Sequence, residues 1–154
     1  MASRRKGRIL AFQALYSWDV HCSQTNKKTI PDELLDFSWV NPAGDDAPLN
    51  EEMAAFSRLL VTGTVENIDA VDSMIRKHLQ NWELNRLNRV DLAVLRMSTY
   101  TLMFQSEMPP SIVIDEAIGI GREFGTDDSY RFINGVLDGI RKTLASTVNS
   151  EAGR

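Results

Sequence analysis

Apolar side chains recur three and four residues apart along almost the whole chain, and no stretch alternates apolar with polar. A period near 3.6 puts such groups on one stripe of an α-helix, whereas a half-buried strand needs a period of two. This regularity confines the chain to an all-α fold. Ile9, Phe12, Leu15 and Tyr16, widened by Leu10 and Trp18, predict a helix over 3–22. Residues 23–30 are a polar connection. Pro31 opens a short helix with Asp32 and Glu33 in its first turn and Leu34, Leu35 and Trp39 as its buried groups. Residues 41–48, rich in Pro, Gly and Asp, form a loop. One long helix is expected from Asn50 to about Gln80. Met53, Phe56, Leu59, Leu60, Val65, Ile68, Val71, Ile75 and Leu79 mark its inner face, and Gly63 is the expected kink.

A second helical group follows. Residues 82–87 suit a short helix or turn. Residues 88–105 carry Val90, Ala93, Val94, Met97 and Phe104 on one face, with Leu92, Leu95 and Leu102 away from it. A helix apolar most of the way round is central and buried. Pro109 and Pro110 end it and launch the next helix through Ile112, Val113, Ala117, Ile120 and Phe124, closed by Gly125. The last helix, about 127–146, buries Phe132, Ile133, Val136, Leu137, Ile140 and Leu144. At 154 residues and 17.3 kDa the chain fits a single domain, residues 1–154, in which two small helical bundles share one core. Residues 147–154 read as a flexible tail.

Several function classes fall away. No apolar run approaches the roughly 18 residues of a membrane-spanning helix. Gln13, Ser17 and Asp19 interrupt the segment after the basic N-terminus, so no secretory signal is expected. The lone Cys22 suits a reducing compartment, and the reading is cytoplasmic. His21 and His78 match no zinc spacing, and the alternative for each is a polar helix end. Gly119-Ile120-Gly121 lies inside a predicted helix with no strand before it, so it is not a dinucleotide loop. Asp115-Glu116 and Asp127-Asp128 lack a partner base or nucleophile, and Asp115 or Glu116 is expected to pair with Arg96. The expectation is no enzyme, no cofactor and no metal.

Charge is segregated. The net charge is −4, yet Arg4, Arg5, Lys6 and Arg8 precede the first acid, Asp19. Beyond residue 8, thirteen Lys and Arg face twenty-one Asp and Glu, a body of net charge −8. Cations in a first helical turn oppose the macrodipole, and like charges four apart repel, so residues 1–8 are expected to fray. A polyanion reverses both penalties. Order on binding RNA is one reading of this tip, and a merely solvated terminus is the other.

The stretch Arg4-Arg5-Lys6-Gly7-Arg8 leading into Gln13-Ala14-Leu15-Tyr16-Ser17-Trp18 resembles the opening of the bacterial NusB family of transcription antitermination factors. Three further stretches match in order: Trp82 to Leu87 into Val90-Asp91-Leu92-Ala93-Val94-Leu95-Arg96; Pro110 with Val113-Ile114-Asp115-Glu116-Ala117; and Phe124-Gly125 with Asp128-Ser129 and Phe132 to Asp138. The resemblance spans nearly the whole chain and is weakest at about 23–50. It implies a non-enzymatic, all-helical RNA-binding adaptor of two three-helix bundles. Such proteins bind the boxA element of ribosomal RNA leaders with NusE, also a small-subunit ribosomal protein. The pair joins an RNA polymerase complex that suppresses Rho-dependent termination. By position the resemblance implies RNA contacts at Arg4, Arg5, Lys6, Arg8, Tyr16, Asp128, Arg131 and Phe132, and a NusE-facing acid at Asp91.

Each carried-over role has a plainer rival. Tyr16 sits near the angular position of Phe12 and so could pack in the core. Phe132, four before Val136, either stacks on an unpaired base or is core. Asp128 either caps the last helix or meets a base edge. Asp91, among Arg86, Arg89 and Arg96, either faces NusE or forms an internal salt bridge. Gly7, Thr101, Asp115, Gly119 and Gly121 depart from the family pattern. Gly7 costs about 1 kcal/mol of helicity relative to Ala, in line with a frayed tip. Alternative functions are a protein-binding scaffold, with RNA absent, and the RNA-binding domain of a ribosomal RNA methyltransferase. The latter needs a glycine-rich catalytic domain that these residues do not contain. A homodimer hiding the tip is an alternative to a monomer. Because the Asp128 carboxylate repels phosphate, Asp128→Asn should tighten RNA binding in a fluorescence titration; unchanged or weaker affinity would remove Asp128 from the RNA surface.

Overall fold

The computed structural model describes residues 2–25, 29–37, 51–80 and 83–152, with side chains between residues 4 and 147 of these ranges. Among the described residues the chain is helical, with no strand. The elements are α1 (Ala2–Thr25), α2 (Asp32–Asp36), α3 (Glu51–Glu66), α4 (Ile68–Arg76), a 3-10 turn (Leu84–Arg86), α5 (Arg89–Phe104), α6 (Pro110–Phe124) and α7 (Ser129–Ala152). Trp39, the 41–48 loop and Trp82 lie outside the described residues.

The organising element is α5. Its first turn is capped by Asn88, whose side-chain oxygen accepts from the Val90 amide at 2.8 Å. Every residue from Asp91 to Thr101 is buried. This follows from the sequence, because apolar groups on all sides can leave water only if neighbours surround the helix. Helices α1 and α3 pack on each other and on α5, and so do α6 and α7, while α4 lies on α5 as well. Two small bundles thus share one core, built on fully buried Leu15, Leu60, Ile75, Leu95, Ile120, Ile133, Leu137 and Ile140.

A fold dense in buried side chains must also satisfy its buried polar groups. Arg96 is nine-tenths buried in α5. Its Nε donates to Asp72 Oδ1 at 2.9 Å and its Nη2 to Asp72 Oδ2 at 3.0 Å, a bidentate pair. Asp19 of α1 adds a carboxylate 3.5 Å from Nη1, and the Trp18 ring lies 5.6 Å from Cζ. The expected pairing of Arg96 with Asp115 or Glu116 is therefore not the one formed: Asp115 is exposed and Glu116 binds Arg5.

Other expectations change with their neighbours. The break between α3 and α4 falls at Asn67, not Gly63. Asn67 leaves helical geometry at φ −111°, and its backbone amide (3.1 Å) and side-chain amide (2.8 Å) both donate to the Gly63 carbonyl. Gly63 is buried inside α3, where a Cβ would overlap the Tyr100 ring of α5. Its missing side chain lets α3 and α5 approach closely. Leu59, Phe104 and Ile112, expected inside, are 51%, 47% and 46% exposed. At the tip, α1 starts at Ala2 and makes the contacts described below. The tail expected from 147 is helical to Ala152, Thr147 Oγ1 donating to the Thr143 carbonyl at 3.1 Å; residues 153–154 lie outside the described residues.

Asp72→Ala would leave the Arg96 guanidinium buried with only the longer Asp19 contact. Urea unfolding should show a loss of about 3–5 kcal/mol. A loss below about 1 kcal/mol would mean that Asp19 alone neutralises Arg96.

Candidate nucleic-acid interface

The basic tip is wedged between α3 and α6. Residues four apart on a helix share a side, so Arg4 and Arg8 both turn to α3, where their Cζ atoms lie 5.1 and 5.7 Å from the Phe56 ring centroid. Between them Gly7 touches α3. A Cβ there would sit 2.7 Å from Phe56 Cδ1, and Ser57 Oγ donates to the Gly7 carbonyl at 2.9 Å. The glycine that weakens the helix locally is what brings α1 onto α3. Arg4 is exposed, Lys6 half-buried and Arg8 only 7% exposed. Burial pulls the Arg8 guanidinium below its ordinary pKa; Glu116 opposes it, and Arg4 adds a smaller downward push. Arg8 therefore sits within the wedge, its side chain largely covered. Arg5 faces the other way, onto Glu116 (3.4 Å) and Glu123 (3.2 Å) of α6.

The neighbouring edge is built by α1, α6 and α7. Phe12 meets Phe124 with ring centroids 5.1 Å apart. Tyr16, a turn beyond Phe12 and 40° further round, is 39% exposed and so not a core residue. Phe132 is half-buried against the core. Asp128 is exposed, and its carbonyl accepts the Phe132 amide at 3.2 Å. Ser129 Oγ accepts from the Thr126 amide at 2.9 Å, which closes the turn leading into α7. Arg131 is exposed and donates through Nε to the Tyr130 hydroxyl at 2.9 Å. Arg122 lies over the Tyr130 ring, 4.7 Å from its centroid. The sequence marks Phe56 only as part of an inner helix face and does not distinguish Arg122 or Tyr130 as site residues. An arginine in the last turn of α6 and an aromatic at the start of α7 were its available signals.

Asp91 is elsewhere in character. It is 7% exposed in the first turn of α5, and its Oδ1 has no hydrogen-bond partner among the described residues. The expected arginines are occupied or turned away: Arg89 pairs with Asp19 at 3.4 Å, Arg96 with Asp72, and Arg86 is exposed. Burial raises the Asp91 carboxyl above the usual carboxylate pKa, and the Ser129 hydroxyl pulls it partly back.

Residues 5–142 match the NusB family. The chain belongs to the NusB family. The transcription antitermination protein NusB of Treponema denticola is 49% identical over 138 residues, covering 90% of this chain and 95% of that one. The solved structure of T. maritima NusB is 33% identical, with a TM-score of 0.73 and 90% of each chain covered. A structure described as the antitermination factors NusB and NusE in complex with double-stranded RNA is 26% identical, with a TM-score of 0.73, covering 93% of this chain and 98% of that one.

NusB relatives carry the names of transcription antitermination proteins and not of enzymes. Among the described residues no three His, Cys, Asp or Glu group as a metal site, and no helix is long and apolar enough to cross a membrane. In this NusB chain the buried acid has a pH signature. A carboxyl whose folded pKa is raised binds its proton more tightly in the folded state. Its stability contribution is present below the ordinary carboxylate value and is lost as pH rises through the raised one. Asp91→Asn should therefore melt higher than the native chain at pH 7, with the gap closing as pH falls toward about 4. Parallel melting profiles across that range would show that the carboxylate is not the source.

Proposed function

We propose that this chain is an RNA-binding adaptor of transcription antitermination. It binds the boxA element of ribosomal RNA leader transcripts together with NusE. The pair then joins an RNA polymerase complex that suppresses premature Rho-dependent termination. The observation that carries the reading is the cation–aromatic cluster Arg4–Phe56–Arg8, set at the tip of a helix on an otherwise acidic body. Its sequence match to proteins named for antitermination, and its likeness to a NusB solved with NusE and RNA, support it.

In this reading Arg4, Lys6 and Arg131, joined by Arg122, meet phosphates and position the RNA without reading it. Tyr16 and the open edge of Phe132 receive unpaired bases, each worth roughly 1–3 kcal/mol. Arg5 and Arg8 belong to the same segment but begin engaged with Glu116, Glu123 and Phe56. Asp128 borders the track as a repelling charge. Asp91 lies beneath the NusE surface in the first turn of α5, since its carboxylate is buried.

The test is a titration of fluorescent boxA-type RNA and a scrambled RNA, with and without NusE. Preference for boxA, tightened by NusE, is the expected result, because two partners on one protein are coupled reciprocally. Four phosphate contacts on single-stranded RNA give a log–log salt slope of about −3. Equal, weak binding to both RNAs with a flat salt response would leave a protein-binding scaffold. Sedimentation of the free protein over a range of concentrations separates a monomer from a homodimer that covers the tip.

A further inference from the structure

Arg5 occupies a socket. Glu116 and Glu123 stand seven residues apart on α6, two turns along one face, and each presents one carboxylate oxygen to a different terminal nitrogen of Arg5. Gly119 lies between them, where a Cβ would come within 2.9 Å of Arg5 Nη1. A helix-weakening residue in mid-helix is thus what leaves room for the guanidinium. Both charges at the outer end of the socket oppose their own helix. Arg5 is a cation near the N-terminus of α1, and Glu123 is an anion in the last turn of α6. Each offsets the other across the α1–α6 contact that Phe12 and Phe124 pin alongside.

From this geometry we infer that Glu123, with Glu116 and Gly119, holds Arg5 away from phosphate and thereby sets the RNA affinity of the basic tip. The inference rests on the RNA-binding reading above. Glu123 is a positioning residue: it competes with RNA for one guanidinium. The side chains of Arg5, Glu116 and Glu123 are 42%, 26% and 53% exposed, so the ion pairs are open to exchange. A phosphate that captures Arg5 leaves two carboxylates uncompensated beside the RNA backbone. Arg5 consequently adds little to binding in the native chain, and the segment presents fewer effective cations than its sequence counts.

The experiment compares the full chain with Glu123→Gln, Arg5→Gln and the double variant, each titrated with fluorescent boxA-type RNA over a range of salt. Glu123→Gln keeps the side-chain size and removes a charge unfavourable to the end of α6, so the fold persists. It should bind about two- to fivefold tighter, the range that an exposed ion pair worth up to roughly 1 kcal/mol converts to. Its salt slope should steepen by about 0.7, the share of one added phosphate contact on a single strand. In the Arg5→Gln background the same change should gain clearly less and leave the salt slope unchanged, since only through-space repulsion of phosphate is then relieved. An equal gain in both backgrounds would reduce Glu123 to a through-space charge and overturn the inference, as would unchanged affinity. If Arg4→Gln weakens RNA binding while Glu123→Gln has no effect, the RNA reading stands and the inference alone fails. Absence of RNA binding by every variant and the native chain overturns both.

Discussion

Arg96 lies in the middle of a helix with no dry side to spare, and the fold is arranged around making its charge tolerable. An isolated cation there would be prohibitively costly to desolvate. Asp72 arrives on α4 to meet it with two parallel hydrogen bonds, and Asp19 on α1 brings a second carboxylate. Such a buried pair often adds little net stability over apolar residues of the same volume. Here it ties α1, α4 and α5 to one another at a defined register. The remaining faces of α5 are then closed by α3, α6 and α7.

Because α5 consumes the interior, the chemistry open to partners is at the rim. The N-terminal segment of α1 projects between α3 and α6, and its arginines are met by two kinds of neighbour. Arg4 and Arg8 take an aromatic face, and Arg5 takes two carboxylates. Cation–π contact leaves the charge of an exposed Arg4 available, whereas ion pairing cancels it. The tip is therefore graded in its availability to a polyanion, even though four basic residues look equivalent in the sequence.

The glycines illustrate where sequence reasoning stopped. Gly7, Gly63 and Gly119 each read as a local weakness: a frayed tip, a kink, an unexplained departure from good helix formers. In the fold each marks an approach too close for a Cβ, against Phe56, Tyr100 and Arg5 respectively. Local propensity describes what a residue does to its own helix. It says nothing about what will lie across from it, so the cost was visible and the benefit was not. The charged residues behave alike. Arg96 and Glu116 stand out in the sequence as charges within apolar helices, but their partners are set by which helices adjoin.

Helical periodicity, the near-continuous apolar girth of α5 and the segregation of charge at the N-terminus determined by themselves the all-α class, the central helix and the basic edge. These properties follow from the residues of one helix at a time. Tertiary structure alone decided that Arg5 is held and Arg4 is open, that Tyr16 is exposed and Phe132 half-buried, and that Asp91 is sealed without an arginine. Burial and pairing depend on side chains brought together from more than a hundred residues apart, as Arg5 and Glu116 are. Spacing along the sequence carries the period of a helix but not the identity of the helix beside it.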